Sequence, residues 1–153
     1  MRPIYENAQS LQNERMVMDA IETSWGVTCT KIPIKYGVEC ALMKGREITA
    51  WAEIKCRSCR SKDFPTYMIS LDKIVNGLLI ARMTARNLYL FVSWKDVTGF
   101  LLIDEIPEIG MGDRYQLRTG QSEHDPDDRE PMCYFNINQF LPLTEESCHK
   151  GEV

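Results

Sequence analysis

The stretch AWAEIKCRSCRSK, residues 50–62, begins as an apolar strand and then carries a charge at every second position. Side chains alternate across a strand, so Glu53, Lys55 and Arg57 share one face while Ile54 lies on the opposite, core-forming face. Two explanations are open. The strand could lie at an edge with a solvated polar face and a weak Glu–Lys pair, or the charges could form a functional site.

Length, composition and charge limit the possible classes of protein. The chain has 153 residues, of which 44% are hydrophobic, which predicts one domain with a core over residues 1–153. No run approaches the roughly 18 apolar residues of a membrane span, and the first ten residues lack the apolar region of a secretory signal. We therefore expect a cytoplasmic protein with no membrane partner. Because the net charge is −4, any site for a polyanion must be local.

An amphipathic helix is predicted before Gly26, which can terminate it. Its stripe recurs at steps of three and four, at Leu11, Glu14, Met18, Ile21 and Trp25. A carboxylate inside such a stripe lies either at its solvated margin or toward a group that needs negative charge.

An antiparallel hairpin is predicted around the turn KGRE, residues 44–47, after a first strand in VTCTKIPI, residues 27–34. Val38 is expected on the same face as the strand residues Cys40 and Leu42, with Glu39 on the other face. Partners in the hairpin sum to about 91 or 92, which sets Glu39 opposite or one step from Glu53.

Two carboxylates so close together repel each other, which is unfavourable unless a cation or a shared proton relieves the repulsion. Mg²⁺ provides such relief, since it takes one or two carboxylates together with waters and substrate phosphates. The hairpin therefore predicts a metal site.

A polar link over residues 57–68 leads to a second helix over residues 71–84, which Ser70 can cap. Lys73 lies in its first turn, and its buried side is predicted at Leu71, Ile74, Leu78 and Ala81. Two further strands follow, NLYLFVSW and FLLID, joined by a turn.

This order, with Glu39 followed by the triplet Glu53-Ile54-Lys55, resembles the PD-(D/E)XK nuclease superfamily. The resemblance is to small phage-encoded members, in which a tryptophan-ended helix, an acidic strand residue, EIKCR and TYMISLDK occur in this order. It covers about residues 8–104 and implies an α/β (α+β) fold with a restriction-endonuclease-like core. That core is a central mixed sheet flanked by helices in the order αβββαββ, and residues 105–153 are then a C-terminal appendage.

The resemblance also implies Mg²⁺-dependent hydrolysis of DNA phosphodiester bonds, with Mn²⁺ as a possible substitute and a homodimer as a possible assembly. The implied catalytic residues are Glu39, Glu53 and Lys55. The implied metal ligands are Glu39, Glu53, the carbonyl of Ile54, and Glu14 or Glu22 from the first helix. The implied contacts to DNA phosphates are Arg57, Arg60, Lys62, Ser70 and Lys73.

The sequence departs from the family pattern where Val38 and Glu39 stand in place of Pro and Asp. The acidic arm is one methylene longer, which leaves two functions open. One is an active nuclease, either an exonuclease or a structure-specific endonuclease. The other is a catalytically weak nuclease-like fold that binds nucleic acid or a protein partner.

The cysteines offer an alternative metal site. Cys56 and Cys59 form a C-x-x-C, which could assemble a zinc site with Cys29, Cys40 or the pair Cys148 and His149. We expect reduced thiols and no zinc, because no second pair stands at the usual spacing and Cys56 falls on the core face of its strand.

The segment after residue 105 carries fewer signals. SEHDPDDREP, which includes His124, is predicted to be a solvated acidic loop. Arg114 and Arg118 could add substrate contacts, and MCYFNI, residues 132–137, is strand-like.

Overall fold

A six-stranded mixed sheet forms the centre of the protein, as seen in a computed structural model that describes residues 7–113 and 129–144. The helices are α1 (Ala8–Trp25) and α2 (Leu71–Thr84). The strands are β1 (Thr28–Lys31), β2 (Cys40–Lys44), β3 (Glu47–Cys56), β4 (Thr66–Ser70), β5 (Asn87–Ser93), β6 (Thr98–Ile103), β7 (Glu108–Asp113), β8 (Arg129–Asn136) and β9 (Leu141–Pro142). The central sheet has the order β1-β2-β3-β5-β6-β9, and a second sheet has the order β4-β8-β7. Only the β3–β5 pair is parallel among these strands.

Helix α1 forms where the sequence predicts it. It begins with a capping box, in which Asn7 Oδ1 accepts from the Ser10 N–H at 2.8 Å and Ser10 Oγ accepts from the Asn7 N–H at 3.0 Å. It ends at Gly26, whose φ of 63° is the left-handed conformation that glycine adopts without strain. The Trp25 ring packs edge-on against three aromatic rings of the sheet, Tyr89, Phe91 and Phe100.

The alternation predicted for β3 is confirmed, and it divides the core into two layers. Ala50, Ala52 and Ile54 pack in the layer beneath α1, whereas Trp51 packs on the opposite side with α2 and the second sheet. The explanation of this stretch as an edge strand with a solvated face is wrong. β3 pairs with β2 on one side and β5 on the other, and Glu53 is only 2% exposed.

The predicted hairpin register is confirmed, with Cys40 opposite Ala52 and Lys44 opposite Glu47. The placement of Val38 is wrong, because Val38 packs in the α2 layer whereas Cys40 packs beneath α1. The reason is that β2 starts only at Cys40, so the alternation of a strand does not extend back to residue 38.

The order αβββαββ holds but is incomplete, because β4 interrupts the predicted polar link. Tyr67 and Ile69 are buried in β4, which pairs with β8 in the segment predicted to be an appendage. Ser70 stands at the start of α2, but its side chain makes no capping hydrogen bond. The strand-like prediction for residues 132–137 is confirmed by β8. Neither described helix is long and apolar enough to span a membrane.

Candidate active site

Two carboxylates and two lysines meet where β3 passes the start of β2. Lys55 Nζ lies 2.8 Å from Glu53 Oε1 and 3.4 Å from Glu39 Oε2. Lys73 Nζ, from the first turn of α2, lies 3.5 Å from Glu53 Oε1. The backbone N–H of Ile54 donates to Glu39 Oε2 at 2.9 Å. The structure therefore brings the three residues of the predicted catalytic set together and adds Lys73 to them.

Glu39 reaches this cluster because β2 starts one residue after it, whereas β3 continues to Cys56. The β2–β3 register begins with Cys40 opposite Ala52 and stops short of Ile54. The Ile54 N–H consequently bonds to the Glu39 side chain and not to a strand backbone. The longer arm of a glutamate thus spans the gap left where the ladder ends.

Among the described residues, Glu53 is the charged residue that the core encloses most fully. It is 2% exposed, and its Oε2 atom has no hydrogen-bond partner among residues 7–113 and 129–144. Its Oε1 atom is engaged by the ion pair with Lys55, 2.8 Å away. A carboxylate buried in this way is unfavourable unless charges or a further ligand compensate it. The two lysines supply charge to Oε1, and Oε2 remains free for a ligand.

The electrostatic environment of Lys55 follows from this arrangement. Burial is the largest influence and lowers the pKa of Lys55, but the negative charges of Glu53 and Glu39 together outweigh it and leave the pKa raised. Lys55 therefore stays charged as long as both carboxylates are ionised.

The predicted acids of the first helix have other partners. Glu22 accepts from the Cys29 N–H and from Arg15 Nη2, both at 2.9 Å, which places it at the start of β1 and away from the cluster. Glu14 pairs with Lys31 at 3.1 Å, but its charge also raises the pKa of Cys56, after the larger effect of burial. Of the two helical acids, Glu14 is thus the one that acts on Cys56, the residue after Lys55.

The described residues do not bring a helical acid, Glu14 or Glu22, together with Glu39 and Glu53 as a third carboxylate for a metal. Within residues 7–113 and 129–144, no three Asp, Glu, His or Cys side chains are arranged to hold a metal together. The two carboxylates that do converge, Glu39 and Glu53, are oxygen ligands of the kind that Mg²⁺ takes along with waters, and Glu53 Oε2 is unpartnered in the described residues. The residues present therefore fit Mg²⁺ better than a metal that needs a full protein cage.

A cleft of about 560 Å³ opens beside Lys55. Of the predicted DNA contacts, it is lined by Arg57, Ser70 and Lys73. Arg60 lies outside it, and Lys62 donates to Asn138 Oδ1 at 2.9 Å. The sequence did not single out Asn13, Met68 and Met132, which also line the cleft. Met68 and Met132 come from β4 and β8, whose pairing carries no local sequence signal.

The cysteines of the described residues are all free thiols: Cys29, Cys40, Cys56, Cys59 and Cys133. Cys59 packs against the α2-side core layer, and Cys56 packs against the layer beneath α1. The C-x-x-C is therefore divided between two sides of the sheet. Cys148, His149, His124, Arg114 and Arg118 lie outside the described residues.

Comparisons with known proteins agree with this fold. Residues 1–143 match the model of a family described as "Phage putative PDDEXK endonuclease". The structure is similar to that of the Holliday junction resolvase Hjc of Archaeoglobus fulgidus, an archaeal hyperthermophile, with a TM-score of 0.61 and 13% identity over 95% of this chain and 100% of that chain. No curated protein sequence matches the chain.

Proposed function

The chain belongs to this family of phage PD-(D/E)XK endonucleases, and we propose that it hydrolyses phosphodiester bonds of DNA in a Mg²⁺-dependent reaction at Glu39, Glu53 and Lys55. A nuclease activity follows from the family. The metal, the nucleic acid and the roles of the residues are the proposal.

The observation that carries the proposal is the burial of Glu53 with a free carboxylate oxygen. Replacing a buried ion pair by apolar residues is often neutral or stabilising, so a fold gains little stability from charges in this position. Glu53 nevertheless stands in a central strand, 2% exposed, and shares Lys55 with a second carboxylate, Glu39, while Lys55 itself lines the open cleft. A metal ligand needs that arrangement, and a purely structural core does not.

Glu39, Glu53 and the Ile54 carbonyl would hold the metal. Alternate residues of a strand in a parallel pair direct their backbone groups to opposite neighbours. The Arg57 N–H donates to the Ser93 carbonyl of β5. The backbone N–H and carbonyl of Ile54 therefore point to the other side of the strand, toward Glu39. When bound, Mg²⁺ would supply positive charge to the scissile phosphate and activate the attacking water.

Lys55 would act directly on the reacting groups. A lysine ammonium is a donor without a lone pair, so it can orient the attacking water or stabilise charge that develops on the phosphate. Its two carboxylate contacts, at 2.8 and 3.4 Å, hold it at the centre of the cluster. Lys73 and Arg57, on the walls of the cleft, would hold the neighbouring backbone phosphates, with Ser70 beside them.

The test combines cleavage with metal binding. Wild type, Glu53→Gln and Lys55→Ala are incubated with single-stranded, duplex and branched DNA, with Mg²⁺, Mn²⁺ or EDTA. Mn²⁺ affinity is measured separately by electron paramagnetic resonance. Glu47→Gln is the matched control, because Glu47 is on the same strand but 67% exposed and paired with Arg86.

We expect wild type to cleave at least one DNA form, and both site variants to lose cleavage. Glu53→Gln should also lower Mn²⁺ affinity by more than about tenfold, the lower end for loss of even an outer-shell partner of a metal. A wild type that cleaves no DNA form with either metal, or a Glu53→Gln variant that cleaves and binds Mn²⁺ like wild type, refutes the proposal.

A further inference from the structure

A second cavity, of about 240 Å³, opens next to the cleft. The two spaces share Arg57 and Met68 as lining residues, so the smaller one is a side chamber of the proposed active site. We call it the side cavity. None of the proposed catalytic residues lines it.

Aromatic rings form part of the side cavity, which is lined among others by Phe64, Tyr67, Trp94 and Tyr134. Tyr67 and Trp94 are buried and meet edge-on with ring centres 6.0 Å apart, which gives the cavity a rigid inner wall. Tyr134 is half-buried, and Phe64 is 47% exposed on the loop before β4. An exposed aromatic ring in the same cavity as a rigid aromatic wall offers surfaces on which a planar ligand can stack.

Two of the residues that line the side cavity, Arg57 and Tyr67, also carry buried polar atoms with free bonding capacity. Arg57 Nε and Tyr67 Oη are buried and have no hydrogen-bond partner within residues 7–113 and 129–144. Buried polar atoms without a partner are uncommon and unfavourable. The Arg57 guanidinium lies 5.0 Å from the centre of the Tyr67 ring, so the ring fixes its position by a cation–π contact.

Size and composition narrow the class of ligand. The volume is below the roughly 300–1,000 Å³ of sites for drug-sized molecules and well above the ~30 Å³ of one water. The aromatic walls favour a planar ring over a phosphate. A second guanidinium, from the exposed Arg60, lies among the lining residues and suits a ligand attached to a polyanion.

We propose that the side cavity binds one unpaired base of the DNA substrate, next to the phosphate that is cleaved. This inference rests on the proposed nuclease function and names its substrate class. A base in a duplex is stacked and paired on both strands, so only a base that is already unpaired, or that is flipped out, can enter. The enzyme should therefore prefer DNA with unpaired nucleotides at the cleavage point over fully paired duplex.

The first arm of the test varies the substrate and uses wild-type protein. Fluorescein-labelled forked DNA and a fully paired duplex are titrated in EDTA, so that binding is measured without cleavage. Abasic nucleotides then replace the bases of the unpaired arm one at a time. At one position, loss of the base should weaken binding about 5- to 150-fold, which corresponds to roughly 1–3 kcal/mol for one stacked base.

The second arm varies the protein. Phe64→Ala should weaken binding of the fork by a factor in the same range and leave duplex binding nearly unchanged. Tyr36→Ala is the matched control, because Tyr36 is 54% exposed and does not line the side cavity. On the fork with the critical abasic position, wild type and Phe64→Ala should bind equally well. Urea midpoints confirm that each variant is folded.

The outcomes separate the two proposals. If wild type cleaves DNA but no abasic position matters, or if Phe64→Ala binds the intact fork like wild type, the base site is refuted and the nuclease function stands. If Phe64→Ala loses the same affinity for fork and duplex, the base site is also refuted, because Phe64 then contributes to binding of DNA of any form. If wild type cleaves nothing but the abasic and Phe64→Ala effects coincide, the base site stands and the proposed catalytic function fails.

Discussion

Removing the ammonium of Lys55 should destabilise the protein measurably when no metal is present. Lys55→Met keeps most of the length of the side chain and removes its charge, so the loss of packing is small. In the variant, the only cation left near the buried Glu53 among the described contacts is Lys73, 3.5 Å away. Glu39 also loses its 3.4 Å ion pair with Lys55.

The magnitude follows from the geometry. Two unit charges 2.8 Å apart, the distance from Lys55 to Glu53, attract by about 6 kcal/mol at an effective dielectric constant of ~20. Burial of the lysine, 24% exposed, offsets part of that attraction. Removal of one partner from a buried pair costs about 3–5 kcal/mol, and Lys73 holds the loss near the lower end. A loss of about 3 kcal/mol lowers the melting temperature by roughly 6–12 °C in a chain of this size.

The assay is urea and thermal unfolding in EDTA and in Mg²⁺. Because a divalent cation replaces the missing charge, Mg²⁺ should stabilise Lys55→Met more than it stabilises wild type and narrow the difference between them. The variant should nevertheless lose cleavage while its DNA affinity stays close to that of wild type, since one charge contributes little to a grip spread over many phosphates.

Two results would refute this reasoning. The first is a Lys55→Met variant as stable in EDTA as Lys95→Met, the control at an exposed lysine. The second is a Lys55→Met/Glu53→Gln double variant whose loss of stability equals the sum of the single losses. Coupled charges should instead make the double variant more stable than that sum by about 0.5–3 kcal/mol.

Three further predictions concern the surroundings of the cluster. Burial raises the pKa of Tyr67 from 10.0 to about 12. The contribution of Tyr67 to the free energy of unfolding should therefore be complete below about pH 10 and fall as the pH rises toward 12. Urea titrations should show that Tyr67→Phe loses less stability than wild type over that pH range. Lys73→Ala should weaken binding to all DNA sequences about equally and flatten the slope of log K against log salt by roughly 0.9. Glu22→Ala should lower the free energy of unfolding by about 1–3 kcal/mol, because the partly buried Cys29 N–H and the Arg15 guanidinium both lose their hydrogen bonds to Glu22. Its Mn²⁺ affinity should stay unchanged.

Local patterns predicted the parts of the fold that local interactions define. Each of these patterns can be read from residues close together in the sequence: the stripe ending at Trp25, the turn at residues 44–47 and the alternation in β3. The hairpin register follows from the turn and the alternation. The same register was enough to bring Glu39 to Lys55, because Glu39 immediately precedes β2 and Lys55 lies in β3, the two strands that the turn connects.

Pairing between distant segments was not predictable in this way. β4 is short, and its burial depends on β8, far along the chain, so Tyr67 and Ile69 gave no sign of belonging to a second sheet. The same sheet supplies walls of the cleft and of the side cavity. The choice between Glu14 and Glu22 also depended on contacts with β1 that helical periodicity cannot show.

The glutamate at position 39 links the fold to the proposed chemistry. Its backbone carbonyl accepts from the Ile32 N–H at 2.9 Å, and its side chain accepts from the Ile54 N–H at the same distance. Glu39 therefore continues the hydrogen bonding of the sheet beyond the point where β2 begins. The same Oε2 atom lies 3.4 Å from Lys55. An aspartate here is one methylene shorter and could not keep the Ile54 contact without moving the backbone. The departure from the family's Pro-Asp pattern therefore matches the local geometry of this sheet and favours an intact site over a decayed one.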